Sequence, residues 1–307
     1  MEQQAKRRGW ATAALFLTAV IWGGGFLVVK TSTDVFPPAY LLAIRFSLGC
    51  LALAAVFAKR LRKIDKALLW RGALLGTFLF LGYYIQTVGI MDTTPGKSAF
   101  LTAIYCILVP FLYGIVDQSR PEGKAVAAAV LGVAGIGVIS LDSGLAIGRG
   151  DALTLVSGVF FAVHVVSVAR LSRGQDVIVL TILQFAAAAA LSWVTGLLTE
   201  RFPVQIPPSA LGGMAFLGFV ATALGLLLQN VGQKYTHPAA ASLILSLESV
   251  FGALFSVVFY GEQATPQLLL GFGLVFAAIL LSQLPFPGLH RRGTALETGR
   301  MAGRNER

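Results

Sequence analysis

The feature that most constrains the fold of this chain is a series of apolar runs, each about 20 residues long, along almost its whole length. An α-helix rises 1.5 Å per residue, so such a run crosses the ~30 Å hydrocarbon layer of a membrane. The runs are continuous in Leu, Ala, Val, Phe and Gly, whereas a membrane β-barrel needs short segments of alternating polarity. We therefore predict an all-α, polytopic membrane protein.

Ten membrane-spanning helices are predicted from these runs and from the short connections between them. Proline is tolerated in the first turn of a helix, where its missing N–H would have no partner, and prolines precede or open several of the runs. The predicted spans are residues 10–29, 37–58, 67–91, 95–116, 121–141, 151–170, 176–199, 208–233, 237–260 and 264–285.

Basic residues are distributed unevenly between the two sides of this predicted bundle. The formal net charge is +10, which in a soluble protein would suggest nucleic-acid binding. On the predicted topology, 19 of the 24 Lys and Arg residues lie on the N-terminal side and four lie in connections on the opposite side. Cytoplasmic loops of membrane proteins are enriched in Lys and Arg. The charge therefore predicts cytoplasmic termini, and no nucleic-acid partner is needed to explain it.

One pattern of polar and small residues occurs twice in the chain. GxxxQxVGxxxTxP extends from Gly82 to Pro95 and again from Gly225 to Pro238, at an offset of 143 residues. A weaker match at an offset near 139 pairs Arg45-Phe46 with Gln184-Phe185. Composition alone rarely places Gln, two Gly, Thr and Pro in a fixed order, so we infer an internal repeat.

The repeat divides the chain into two sets of five spans. Five is an odd number, so the second set enters the membrane from the opposite side to the first. Inverted repeats of this kind are typical of carriers that open alternately to the two sides of a membrane. The predicted organisation is an N-terminal segment 1–9, a first repeat 10–141, a linker 142–150, a second repeat 151–285 and a disordered basic tail 286–307.

Several stretches of the chain resemble a known family. They are AVIWGGGFLVVK in the first span, Arg45-Phe46 in the second, GIMDTTPGKSAFLTAIYCILVPFL across the third and fourth, and GQKYTHPAAASLILSLESVFGALFSVVFYGE across the eighth and ninth. With these stretches the chain resembles the EamA-type carriers of the drug/metabolite transporter superfamily over nearly its full length. The resemblance implies two inverted five-helix repeats around a central substrate cavity.

The same resemblance implies a function. Carriers of this type move small metabolites, often exporting amino acids or related compounds, so we expect a secondary transporter in a bacterial inner membrane that works by alternating access. Its partners would be a small-molecule substrate and the lipid bilayer. Coupling to protons or ions and a homodimer both stay open.

Two other functions remain as alternatives, a lipid flippase and a membrane enzyme acting on lipid. Such an enzyme needs a reactive cluster near one interface, whereas the three histidines, His164, His237 and His290, are far apart in the sequence. No second His or Cys is spaced for a metal. The stretch TTPGKS lacks the preceding glycine and strand of a phosphate-binding loop, so neither ATP nor another cofactor is expected.

Glu248 is the one carboxylate predicted well inside a span, and at the offset of 143 it corresponds to Tyr105. A polar group in hydrocarbon is costly unless it is paired or faces water. An acid and a phenol facing one cavity can bind an ammonium group or take up a proton. The alternative is that Glu248 is protonated and only hydrogen-bonds a neighbouring helix.

Further candidates for the wall of the cavity come from helical spacing and from the repeat. Gln86 and Gln229 occupy matched positions, where they either reach substrate or bridge helices. Tyr83 shares the face of Gln86, being three residues before it. On the fourth span Ser98, Thr102 and Tyr105 form a polar stripe at helical spacing.

Four further residues have more than one interpretation. His164 corresponds to the Gly23-Gly24-Gly25 run, and serves either as a proton carrier or as an ordinary interhelical donor. Trp22 and Trp193 line the cavity or pack in the bundle. Arg45 clamps a substrate carboxylate, or it snorkels or pairs with a helix, and the sequence favours the latter two. The predicted substrate-binding residues are Trp22, Tyr83, Gln86, Thr102, Tyr105, His164, Gln229 and Glu248.

Overall fold

The regular structure consists of helices in the computed structural model, which describes residues 2–116, 118, 123–140, 147–172, 174–235 and 244–283. The first five are α1 (Glu2–Ser32), α2 (Pro38–Val56), α3 (Lys66–Met91), α4 (Pro95–Thr102 and Tyr105–Val116) and α5 (Gly123–Ser140). The next five are α6 (Arg149–Leu171), α7 (Val177–Thr199), α8 (Pro208–Ala215, Phe216–Leu224 and Gly225–Tyr235), α9 (Leu247–Phe255 and Ser256–Tyr260) and α10 (Pro266–Gln283).

Ten helices in the described part of the chain agree with the predicted count. Eight are long and apolar enough to span a membrane, and the last two, Leu247–Tyr260 and Pro266–Ser282, are apolar but shorter. A short 3₁₀ helix, Ala58–Lys63, occupies the basic connection between α2 and α3. The chain is an all-helical, polytopic membrane protein.

The helix ends follow from local sequence. Pro38, Pro95 and Pro208 each stand in the first turn of a helix, where no N–H is needed. Asp65 caps α3 by accepting a hydrogen bond from the Leu68 N–H at 2.7 Å, and Asp176 caps α7 in the same way. These residues set where the apolar runs begin.

Two helices depart from regular α-geometry. The fourth predicted span, 95–116, is interrupted at Ala103 and Ile104, where the Ile104 N–H bonds Leu101 O three residues earlier, which tightens the helix locally. In α8 the middle segment Phe216–Leu224 is a π-helix. Helix α1 begins at Glu2, ahead of its apolar span, Gly9–Ser32, which starts one residue before the predicted one.

Some predicted features lie outside the described residues. They are His237, Pro238, most of the linker 142–150, and the tail 286–307. The domain boundaries therefore stay predictions.

The contacts between helices have the symmetry expected of inverted repeats. Helix α1 packs against α8 and α9, and α6 packs in the same way against α3 and α4. Helix α2 packs against α7 and α8, and α7 against α2 and α3. The remaining large contacts, α4 with α9 and α5 with α10, each join a helix to its own counterpart in the other repeat. Replacing every helix by the one five places on leaves this set of large contacts unchanged, as the inverted repeat requires.

The first glycine of the doubled pattern makes room for an aromatic ring in each repeat. A Cβ added at Gly82 would lie 3.0 Å from Phe161 Cε1, and one at Gly225 would lie 2.7 Å from Trp22 Nε1. Phe161 on α6 and Trp22 on α1 are related by the 139-residue offset. The same contact therefore occurs once in each half of the molecule.

The second glycine of the pattern allows two backbones to approach closely. A Cβ at Gly89 would lie 2.9 Å from Gly150 O, and one at Gly232 would lie 3.1 Å from Ala11 O. Small residues at such crossings let membrane helices gain packing contacts that larger side chains would prevent. The doubled pattern therefore marks the places where α1 and α6 cross α8 and α3.

The substitution Gly89→Val tests this contact. A branched side chain at Gly89 meets backbone that cannot move aside, so we expect a loss of about 1–3 kcal/mol in stability, the usual range for overpacking. Gly273→Val is the matched control, because a Cβ there has no neighbour within 4 Å. Thermal unfolding in detergent measures both. Equal melting temperatures for the two variants would contradict the proposed crossing.

Candidate functional site

A cavity lies at the centre of the bundle, lined by residues of every helix except α5 and α10. The volume of the cavity that the centres of water molecules can occupy is about 160 Å³. This is roughly ten times the 10–15 Å³ that holds one water by the same measure. The cavity therefore has room for a solute of several heavy atoms.

The structure places all eight predicted substrate-binding residues on the wall of this cavity. They are Trp22, Tyr83, Gln86, Thr102, Tyr105, His164, Gln229 and Glu248. They come from α1, α3, α4, α6, α8 and α9, so tertiary packing alone brings them together. Their role in binding substrate stays a prediction.

Most of the wall consists of residues related by the repeat. At the offset of 143 the pairs are Leu79/Thr222, Tyr83/Leu226, Gln86/Gln229 and Tyr105/Glu248. At the offset of 139 they are Trp22/Phe161, Gly25/His164, Phe26/Val165, Arg45/Gln184 and Phe46/Phe185. The pseudo-two-fold axis therefore passes through the cavity.

Tyr105 and Glu248 meet directly across this axis. The Tyr105 hydroxyl donates to Glu248 Oε1 at 3.2 Å, and Glu248 is only 6% exposed. The bond joins α4 to α9, which are themselves related by the repeat. A solute in the cavity would therefore contact a phenol and a carboxyl group at one place.

Two other polar residues of the wall are hydrogen-bonded to a second helix. The Gln86 amide donates to Thr102 Oγ1 at 2.9 Å, which joins α3 to α4. His164 Nε2 lies 2.8 Å from Gln184 Oε1, which joins α6 to α7. Gln86 and His164 therefore bridge helices, and this role does not exclude contact with a solute.

The indole of Trp22 makes a similar bond. Its N–H donates to the carbonyl of Ala221 at 2.8 Å, in the π-helical segment of α8. The ring lies against Gly225 of the same helix, as described above. Trp22 therefore combines the two interpretations that the sequence left open, because it lines the cavity and also packs in the bundle.

Arg45 is a cavity residue that the sequence did not select. Snorkelling is wrong, because Arg45 is only 5% exposed. Helix pairing is correct, since Nε donates to Thr222 Oγ1 of α8 at 2.8 Å. The guanidinium also lies 4.5 Å from the ring centroid of Tyr83. The match of Arg45 with Gln184 at the repeat offset was the one sequence signal that pointed to this site.

Two other residues considered from the sequence lie off the cavity. Ser98 is fully buried and does not line it, whereas Thr102, one turn later in the same helical segment, does. Trp193 also lies outside the cavity, where its N–H donates to Ser47 Oγ at 3.1 Å. Of its two interpretations, lining the cavity is therefore wrong, and Trp193 packs in the bundle.

The stretch TTPGKS forms the N-terminus of α4. Glu262 accepts a hydrogen bond from the Gly96 N–H at 3.2 Å and another from the Thr94 hydroxyl. A carboxylate at this position accepts hydrogen bonds from the free N–H groups of the first turn, and the helix dipole stabilises its negative charge. Among the described residues no group of three or more His, Cys, Asp or Glu could hold a metal.

The cavity is closed at the end opposite the N-terminus. Val29 and Ile90, which line it near the ends of α1 and α3, are 5% and 0% exposed. The ammonium group of Lys30 donates to the carbonyls of Ile90 and Met91, at 2.8 Å in both cases. Lys30 therefore ties the end of α1 to the end of α3, as a cation at a helix C-terminus does.

Comparison with known proteins decides the family. The model of the EamA-like transporter family matches residues 9–141 and again residues 148–284. The chain belongs to the EamA-like transporter family. The two matches each cover one set of five helices, as the repeat requires.

Relatives of this EamA-family chain are named as transporters. An uncharacterized transporter of Archaeoglobus fulgidus is 32% identical over 278 residues, 91% of this chain and 87% of the relative. The uncharacterized transporter YvbV of Bacillus subtilis is 28% identical over 92% of this chain and 93% of its own. The uncharacterized inner membrane transporter YedA of Escherichia coli is 26% identical over 88% of this chain and 90% of its own. The chain is thus a membrane transporter.

A solved structure shares the fold. It superposes with a TM-score of 0.64 and 20% identity, covering 89% of this chain and 96% of the other. At this identity the likeness shows the fold alone.

Access of water to the cavity is tested with single cysteines in a chain carrying Cys50→Ala and Cys106→Ala. We expect Gln229→Cys, on the cavity wall, to react with a small thiol reagent on the order of tenfold faster than Leu75→Cys, since reaction requires an accessible thiolate. Leu75 is 0% exposed between α3 and α7. Mass spectrometry of the labelled protein gives the rates. Equally slow labelling at both positions would show a dry centre.

Proposed function

We propose that this EamA-family transporter is a secondary carrier that exports a small metabolite, such as an amino acid or a related compound, by alternating access. The observation that carries the proposal is the bond between Tyr105 and Glu248, two repeat-related residues that meet on the wall of a polar cavity. A lipid-facing or purely structural role would not require polar side chains grouped around a cavity between inverted repeats.

The repeat supplies the mechanism. Two halves with nearly equivalent packing can adopt two arrangements of similar free energy, related by exchanging the roles of the halves. One arrangement opens the cavity to one side and the other opens it to the opposite side. The paired glycines support this exchange, because small residues allow helices to slide past each other at close distance.

The charge distribution supports cytoplasmic termini, so the closed end of the cavity faces outward. Lys30 holds this outer end closed. The position related to Lys30 by the 139-residue offset is Ala169, which has no group to cap a helix. Lys30 therefore has no counterpart at the related position of the second repeat. With its outer end closed, the cavity would load solute from the cytoplasm, as an exporter requires.

Lys30→Met tests the outer closure. Loss of the two hydrogen bonds to α3 should shift the population toward the outward-open state, by about tenfold if each bond contributes roughly 0.5–1.5 kcal/mol. A cysteine at Gln229 and an impermeant thiol reagent applied outside the cell report this state. Lys97→Met is the matched control, because its nearest carboxylate is Asp151 on α6 rather than a group that closes the cavity. Equal labelling of both variants would contradict this role.

Glu248 is the group on which binding or coupling would depend. Its carboxyl can bind an ammonium group of the solute or exchange a proton between the two states. Both uses require that it reach the solute or water through the cavity. Proton or ion coupling and a homodimer stay predictions.

Glu248→Gln in proteoliposomes tests the proposed function. With a metabolite panel as substrate, we expect flux to fall about tenfold or more, because the carboxyl partner of the solute is lost. Any pH dependence of the wild-type flux that comes from this carboxyl should disappear as well.

Asp34→Asn serves as the control, since Asp34 is an exposed carboxylate outside the cavity. Lipid scrambling is measured in the same vesicles. If the wild-type protein scrambles lipid and moves no solute of the panel, the carrier interpretation is wrong and the flippase is correct.

A further inference from the structure

We propose that Arg45 forms an anion-binding subsite of the cavity and that the transported solute carries a free carboxylate. The inference rests on the proposed carrier function and goes beyond it, because it assigns one end of the solute to one side chain. The geometry of Arg45 and its hydrogen-bonding capacity carry it.

The guanidinium of Arg45 is buried, yet most of its donors are unused. A guanidinium has five N–H groups and no acceptor. One of these, on Nε, is bonded to Thr222 Oγ1. Among the described residues the terminal nitrogens have no hydrogen-bond acceptor, and the ion pairs, which involve Arg60, Lys97 and Arg149, do not include Arg45. A buried cation in this condition is costly unless something in the cavity pairs with it.

The surroundings of Arg45 fix its orientation without neutralising it. The Thr222 hydroxyl donates to Leu217 O at 2.7 Å, so its oxygen lone pair is directed to receive the Nε–H of Arg45. The ring of Tyr83 covers the guanidinium at 4.5 Å from its centroid, in the range of a cation–π contact. Neither contact uses the two terminal amino groups, so the edge of the guanidinium that carries them is available.

This edge is suited to a carboxylate. Arginine binds a carboxylate through two parallel N–H···O bonds to its two negatively charged oxygens. An amide of the solute has one neutral oxygen, and an amine has none, so neither can replace the carboxylate. The repeat partner of Arg45 is the neutral Gln184, which is engaged by His164. The first repeat therefore supplies the cation of the cavity, and the second supplies its carboxyl group, Glu248. A solute with a carboxylate at one end would have a defined orientation.

The experiment compares flux of amino acids with flux of their carboxamides, which differ only in the carboxylate. Counterflow is measured in proteoliposomes with wild type, Arg45→Lys and Arg45→Gln. We expect the flux of at least one acid through the wild type to exceed that of its amide by about tenfold or more. A hydrogen bond to a charged group contributes enough binding free energy for a difference of this size. Arg45→Gln should lose the acid and keep the amide. Arg45→Lys should be intermediate, because an ammonium keeps the charge and loses the bidentate geometry.

The control is Arg71→Gln, which removes an arginine whose hydrogen bond goes to Leu171 O and which does not line the cavity. It should leave the preference for the acid unchanged. Equal wild-type flux of acids and amides would overturn the subsite even if the Arg45 variants fail to fold. Equal loss of acid and amide in Arg45→Gln would show a structural role only. If the wild type moves neither set but moves other solutes, the subsite fails and the carrier function stands; if it moves nothing, both fail.

Discussion

Close approach between helices at glycine is the constraint on which the rest of this structure depends. Gly82 and Gly89 bring α6 onto α3, and Gly225 and Gly232 bring α1 onto α8. Inside a membrane, apolar burial does not drive helices together, so packing contacts of this kind must do it. Because the contacts occur in both repeats, the two halves close around a common axis. The cavity is the space that remains along that axis.

Several polar side chains are tolerated on the wall of the cavity because they have partners in other helices. Gln86 bonds Thr102, His164 bonds Gln184 and Tyr105 bonds Glu248. These bonds hold the bundle together while the side chains still face the cavity. Arg45 differs, because its contacts orient it without balancing its charge. The cavity thus combines hydrogen bonds that join helices with two side chains that can carry a charge, Arg45 and Glu248.

The fold was predictable to a large extent, and the site in part. Apolar runs and prolines gave the ten helices, and the repeat offset paired Tyr105 with Glu248 before their contact was known. Phe161 was missed, although the same offset applied to Trp22 leads to it. Ser98 belongs to the polar stripe of α4 but does not line the cavity, since helical spacing shows which residues share a face and not what that face meets. Arg45 was expected to snorkel or to pair with a helix, and only the second is correct. Its place on the cavity wall was not predicted, since the sequence does not reveal what surrounds a side chain.

The sequence by itself determined the helices, the inverted repeat and the family, because hydrophobic length and residue order are one-dimensional properties. Only the tertiary structure decided which polar side chains share the cavity, which donors of Arg45 have no acceptor among the described residues, and that Lys30 ties the end of α1 to the end of α3. Those facts depend on distances between helices far apart in the chain. Such distances are set by how glycines and side chains of both repeats fit together, and no single stretch of sequence contains them.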